Sequence, residues 1–82
     1  MTDLPRIVGP GILAIHTAVG MGGGIGTSEY IRTEENGAMW PEVSFRTDGV
    51  LVRFSTGYWD FHLWHSIRNI DWKPIPSEGA VT

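Results

Sequence analysis

The chain has 82 residues, among them 11 Gly, 5 Pro and no Cys, and a net charge of −3. Without Cys there is no disulfide framework and no thiolate metal site, and the length leaves room for one domain, 1–82, rather than two. So short a chain buries only about 60% of its unfolded surface, so association with further copies is the expected staple. Nine aromatics, four of them Trp, exclude a disordered chain. The mild acidity argues against a generic nucleic-acid binder, which would carry a basic surplus.

Residues 1–10 read as an extended tail. The apolar stretch Ile12–Val19 is far shorter than the roughly 20 residues a spanning helix needs. Asp3 cancels Arg6 ahead of it, unlike the positive start of a signal peptide. The reading is a cytoplasmic protein with no membrane partner. Leu13, Ile15, Thr17 and Val19 alternate with Ile12, Ala14, His16 and Ala18, and both sets are apolar enough to predict a strand covered on both faces. The run Gly20–Gly26 follows as a loop. It holds no Gly-x-Gly-x-x-Gly and no Gly-Lys-Ser/Thr, so it is not a phosphate loop of known type. Gly22, Gly23 and Gly24 are the positions where backbone could closely approach a ligand or a neighbouring chain. Glu29–Thr33 reads as a short strand, Glu34–Gly37 as a solvated hairpin turn, and Pro41 as an edge or bulge opening the next strand.

The segment from Val43 to Leu63 is the most informative. Asp48-Gly49 taken as a two-residue hairpin loop puts Phe45 opposite Val52 and Ser44 opposite Arg53. Thr56-Gly57 taken the same way puts Phe54 opposite Trp59, Arg53 opposite Asp60 and Val52 opposite Phe61. Both registers place Val43, Phe45, Val50, Val52, Phe54, Trp59, Phe61 and Leu63 on one apolar face, and a slip of one residue would turn a strand's whole set over. Trp64–Ile67 then reads as a short turn and Arg68–Lys73 as a last strand, stopped by Pro74 and Pro76. Residues 74–82 form a second tail.

With turn signals every 8–12 residues, the expectation is an all-β domain: an antiparallel meander curled into a barrel or rolled sheet of five or six strands. Val50-Leu-Val-Arg-Phe54, Thr56-Gly57, Trp59-Asp-Phe61 and Trp64-His-Ser-Ile-Arg-Asn-Ile70 resemble the strand–turn–strand–short turn–strand core of Sm-like and SH3-like small barrels. The resemblance covers about residues 43–73. The same pattern is similar to that of short accessory proteins of actinobacterial phages, in keeping with five Arg to one Lys. It implies oligomeric rings or adaptor modules.

The expected outer face of the meander carries Arg46, Leu51, Arg53, Tyr58, His62 and Trp64, and it is more aromatic than a solvated face needs. Aromatics and Arg are the residues enriched at binding hot spots. With Trp40 these are the candidate binding residues. The leading expectation is a non-enzymatic, homo-oligomeric binding protein, a phage-type accessory or structural component that captures a protein or small ligand between subunits. An alternative is an Sm-like nucleic-acid or nucleotide binder, with bases stacked beside Arg46 and Arg53. A second alternative is a metal-assisted hydrolase on Asp60, His62 and His65, although these residues do not match the spacing of a metal motif. No catalytic residue, metal or cofactor is assigned.

Overall fold

The computed structural model describes residues 4–19 and 24–75. Seven strands follow in order: β1 (Gly11–Val19), β2 (Gly24–Glu35), β3 (Ala38–Trp40), β4 (Glu42–Phe45), β5 (Gly49–Arg53), β6 (Trp59–Leu63) and, after a 3₁₀ turn at Trp64–Ser66, β7 (Ile67–Pro74). They form two antiparallel sheets, one of order β3-β2-β1-β7 and one of order β4-β5-β6. The all-β expectation therefore holds. The described residues form two sheets with no closed barrel, and there are seven strands where five or six were expected. A single sheet with one apolar face cannot stand alone in water, and here the two sheets bury their apolar faces against each other.

The core lies between the sheets: Leu13 and Ile15 of β1, Tyr30 of β2, and Val50 and Val52 of β5. Trp72 and Ile70 of β7 flank it from one sheet, and Val43 and Phe45 of β4 from the other. Ile7 also packs on this core, and Ile75 N–H donates to the Pro10 carbonyl (3.0 Å). The described parts of the two expected tails are thus tied to the domain. β1 is covered on one face only: Leu13 and Ile15 are buried, while Ile12, Ala14 and His16 stay half-buried on the other side. The expected Gly-rich loop is partly strand. Gly24, Ile25 and Gly26 pair with Val19, Ala18 and Thr17, and Gly22 and Gly23 lie outside the described residues.

Three hairpin turns set the registers. Asn36 and Gly37 both have positive φ (54° and 84°), as a two-residue type I′ turn requires, and Glu35 pairs with Ala38 across it. The second hairpin, β4–β5, turns at Thr47-Asp48 rather than at Asp48-Gly49: Arg46 N–H donates to the Gly49 carbonyl (2.7 Å), Phe45 pairs with Val50 and Val43 with Val52. That register differs from the expected one by two residues, so the inward set is unchanged. The third hairpin, β5–β6, closes over three residues. Gly57 N–H donates to the Phe54 carbonyl (2.9 Å), Phe54 N–H donates to the Tyr58 carbonyl (2.8 Å), and Gly57 sits at φ 99°. This matches the three-residue loop with a glycine bulge. The extra loop residue moves the register by one: Arg53 pairs with Trp59, Val52 with Asp60 and Leu51 with Phe61. A one-residue shift exchanges the faces of a strand. Trp59, Phe61 and Leu63 are therefore not core residues, and Asp60 and His62 turn inward. Gly49 permits the close approach of β6, since a Cβ there would strike the His62 carbonyl and the Phe61 ring.

Candidate functional site

Because β6 is turned over, its apolar side chains join the outer face of the three-stranded sheet. Leu51, Trp59 and Phe61 line a shallow groove of about 470 Å³ with Arg46, Arg53 and Asp48. Trp59 is 60% exposed and Leu63, beyond it, 44%. Arg53 is held by Glu42, its neighbour across β4–β5, at 3.1 Å. The expected Arg53–Asp60 pairing is not formed. Each end of the groove carries both signs: Arg53 and Glu42 at one, Arg46 and Asp48 in the loop at the other.

Of the candidate binding residues, the structure brings Arg46, Leu51 and Arg53 together on this face. It places the others elsewhere. Trp64 stacks on Phe45 (ring centroids 6.2 Å apart) and donates its Nε1–H to the Arg46 carbonyl (2.7 Å), so it pins the 46–49 loop. Trp40 pairs with Thr33 at the edge of the larger sheet, half-buried. His62 faces the core, and Tyr58 stands at the mouth of the third hairpin. Trp59, Phe61 and Leu63 are outer-face residues that the sequence reading assigned to the core. The signal that could have found them is Gly57, which suits the αL position of a three-residue loop as well as a place in a two-residue one.

On the inner side, one polar cluster borders the core. The Tyr30 hydroxyl donates to Asp60 Oδ2 (2.9 Å) and accepts from His62 Nε2 (2.8 Å). Tyr30 is buried, so its hydroxyl requires such partners. Burial first, and then its hydrogen bond to Asp60 and that carboxylate's charge, push its phenol pKa far above the ordinary value. Asp60 also raises the Tyr58 phenol pKa, through hydrogen bonding first and its charge second. Phe54 lies between the two tyrosines, with centroids 5.9 Å from Tyr30 and 5.6 Å from Tyr58.

A second polar group lies on the outer face of the larger sheet. His16 Nε2–H donates to Asp71 Oδ2 (2.9 Å), and its Nδ1 meets Thr27 Oγ1 (3.1 Å), joining β7, β1 and β2. These are cross-strand neighbours on a flat, solvated face. For a metal-assisted hydrolase, Asp60 and His62 face inward while His65 is exposed on the 3₁₀ turn. Among the described residues no three His, Asp or Glu gather where they could hold a metal ion. No described helix is long and apolar enough to cross a membrane.

No protein-family model, curated protein or solved structure matches the chain. The functional reading therefore rests on geometry.

Proposed function

We propose that this chain is a non-enzymatic, self-associating binding domain in which a second copy covers the outer face of the three-stranded sheet. The observation that carries the reading is the inverted strand β6, which puts Trp59, Phe61 and Leu63 outside beside Leu51. A cluster of large apolar side chains on one solvent-facing surface marks an interaction site rather than a scatter of single exposed residues. The charges at the rim favour a second copy as the occupant. Arg46 and Asp48 at one end and Arg53 and Glu42 at the other sum to zero, and a two-fold related copy can set Arg against Asp or Glu at each end. A polyanion would meet no net positive charge there. Among the described residues the buried core is five side chains, which supports the same reading, since a small domain gains most from added burial.

The test is native mass spectrometry with sedimentation equilibrium over the micromolar range. The expected result is a homo-oligomer for the natural chain and a folded monomer for Trp59→Glu. A natural chain that stays monomeric at the highest concentration would overturn the proposal.

A further inference from the structure

An aromatic row runs from the core to the surface: Tyr30 belongs to the core, Phe54 packs on it, and Tyr58 is exposed. Three rings follow one another from β2 to the third hairpin: Tyr30, Phe54 and Tyr58. Each is turned from the next, by 49° between Tyr30 and Phe54 and by 43° between Phe54 and Tyr58. They neither stack nor lie flat. Asp60 acts on both ends of the row. Its Oδ2 accepts the Tyr30 hydroxyl proton at 2.9 Å, and along the chain Tyr58, Asp60 and His62 alternate onto one side, so the carboxylate stands next to Tyr58. His62 holds the Tyr30 hydroxyl from the other side at 2.8 Å, which fixes the carboxylate's hydrogen-bond partner in place.

Two facts say what this corner lacks. Asp60 is half-buried, and a carboxylate drawn out of water calls for a compensating charge. Among the described residues the Lys, Arg and His ion pairs are His16–Asp71 and Arg53–Glu42, and neither includes Asp60. The carboxylate has a phenol donor and no cation in contact. Tyr58, 63% exposed, leaves the corner open to solvent. Ring faces present negative quadrupole potential and attract a cation over them, and several rings with an acid recognise methylated ammonium groups.

We propose that Tyr58, Phe54 and Asp60, backed by Tyr30, form a binding site for a methylated ammonium cation. The rings would receive the methyl groups, and Asp60 would neutralise the charge. The chemistry is shared by a choline-type headgroup and by a trimethylated lysine side chain. The site is separate from the outer face and does not depend on self-association.

The test is a titration of the full chain, followed by proton–nitrogen NMR, with choline, with N-acetyl-trimethyllysine and with 3,3-dimethylbutanol, the uncharged isostere of choline. The expected result is that at least one ammonium compound binds ten-fold or more tightly than the alcohol, with shifts centred on residues 54–60. Tyr58→Ala and Asp60→Asn lose that preference, and Tyr58→Phe keeps it. Tighter binding of choline assigns a headgroup as the source, and tighter binding of trimethyllysine assigns a peptide. Equal affinity for the alcohol and both cations, or no saturable shift with any of them, would overturn the proposal. So would a preference that survives both Tyr58→Ala and Asp60→Asn in variants whose spectra show the native fold.

Discussion

Strands β5 and β6 lie side by side and bury opposite kinds of side chain. In β5, Val50 and Val52 are fully buried while Leu51 and Arg53 face out. In β6, the inward positions hold Asp60 and His62, and Trp59, Phe61 and Leu63 face out. The first strand follows the ordinary alternation of a half-buried sheet. The second departs from it on both faces at once, leaving apolar surface in water and polar groups beside the core. Departures of this kind are tolerated where function needs them. The lesson of the pair is that one edge strand can break the ordinary alternation on both faces while its neighbour carries the stability.

The largest expected effect sharpens that division. Leu13→Ala removes a fully buried side chain from β1 and is expected to cost about 3 kcal/mol in urea unfolding. Leu63→Ala on β6, measured in dilute solution where the outer face is free, is expected to stay within about 0.5 kcal/mol. Comparable losses at the two sites would place Leu63 in the core.

The polar half of β6 comes next. Tyr30→Phe leaves Asp60 and His62 without their shared hydroxyl and is expected to cost about 1–2 kcal/mol, read by thermal and urea unfolding. The same substitution has a pH signature. The Tyr30 phenol pKa is raised on folding, so above the ordinary tyrosine value of about 10 the unfolded chain releases a proton that the folded chain keeps. Its contribution to stability is thus complete below about pH 10 and declines as pH rises beyond that value. Tyr30→Phe is expected to flatten this alkaline loss relative to the natural chain. An unchanged alkaline profile would show that the phenol is not held as described.

Trp64→Phe keeps the stacking on Phe45 and removes the indole N–H bond to the Arg46 carbonyl. It is expected to cost about 1 kcal/mol and to speed amide exchange in the 46–49 loop. The smallest effect is Glu42→Gln. It breaks the ion pair to Arg53 between two half-exposed side chains and is expected to change stability by less than about 0.5 kcal/mol. In salt titration its effect fades as the pair is screened.

Much of the fold was legible in the sequence. The strands β1, β4, β5, β6 and β7, the 64–66 turn and the Asn36-Gly37 hairpin all followed from local residue chemistry. The inward set of β4 and β5 was also correct, although their turn falls one residue earlier in the chain: a register error of two residues preserves which side chains share a face. The β5–β6 loop shows the opposite case. Thr56-Gly57 suits a two-residue loop and Ser55-Thr56-Gly57 a three-residue one, and the choice between them decides the fate of five side chains. The apolar residues of β6 favoured the wrong answer, because patterning assumes that Trp59, Phe61 and Leu63 belong inside. The candidate face was found, with Arg46, Leu51 and Arg53 on it, but its aromatic residues were misassigned by that one step. Tyr30 could not be linked to Asp60 and His62, since nothing local relates residues 30 and 60 across two sheets.

The register of β6 is therefore the point on which the account turns, and nuclear Overhauser contacts in the full-length chain test it most directly. The account predicts cross-strand contacts pairing Arg53 with Trp59, Leu51 with Phe61 and Val50 with His62. Contacts pairing Arg53 with Asp60 and Val52 with Phe61 would contradict it, returning Trp59, Phe61 and Leu63 to the core and removing both proposed surfaces.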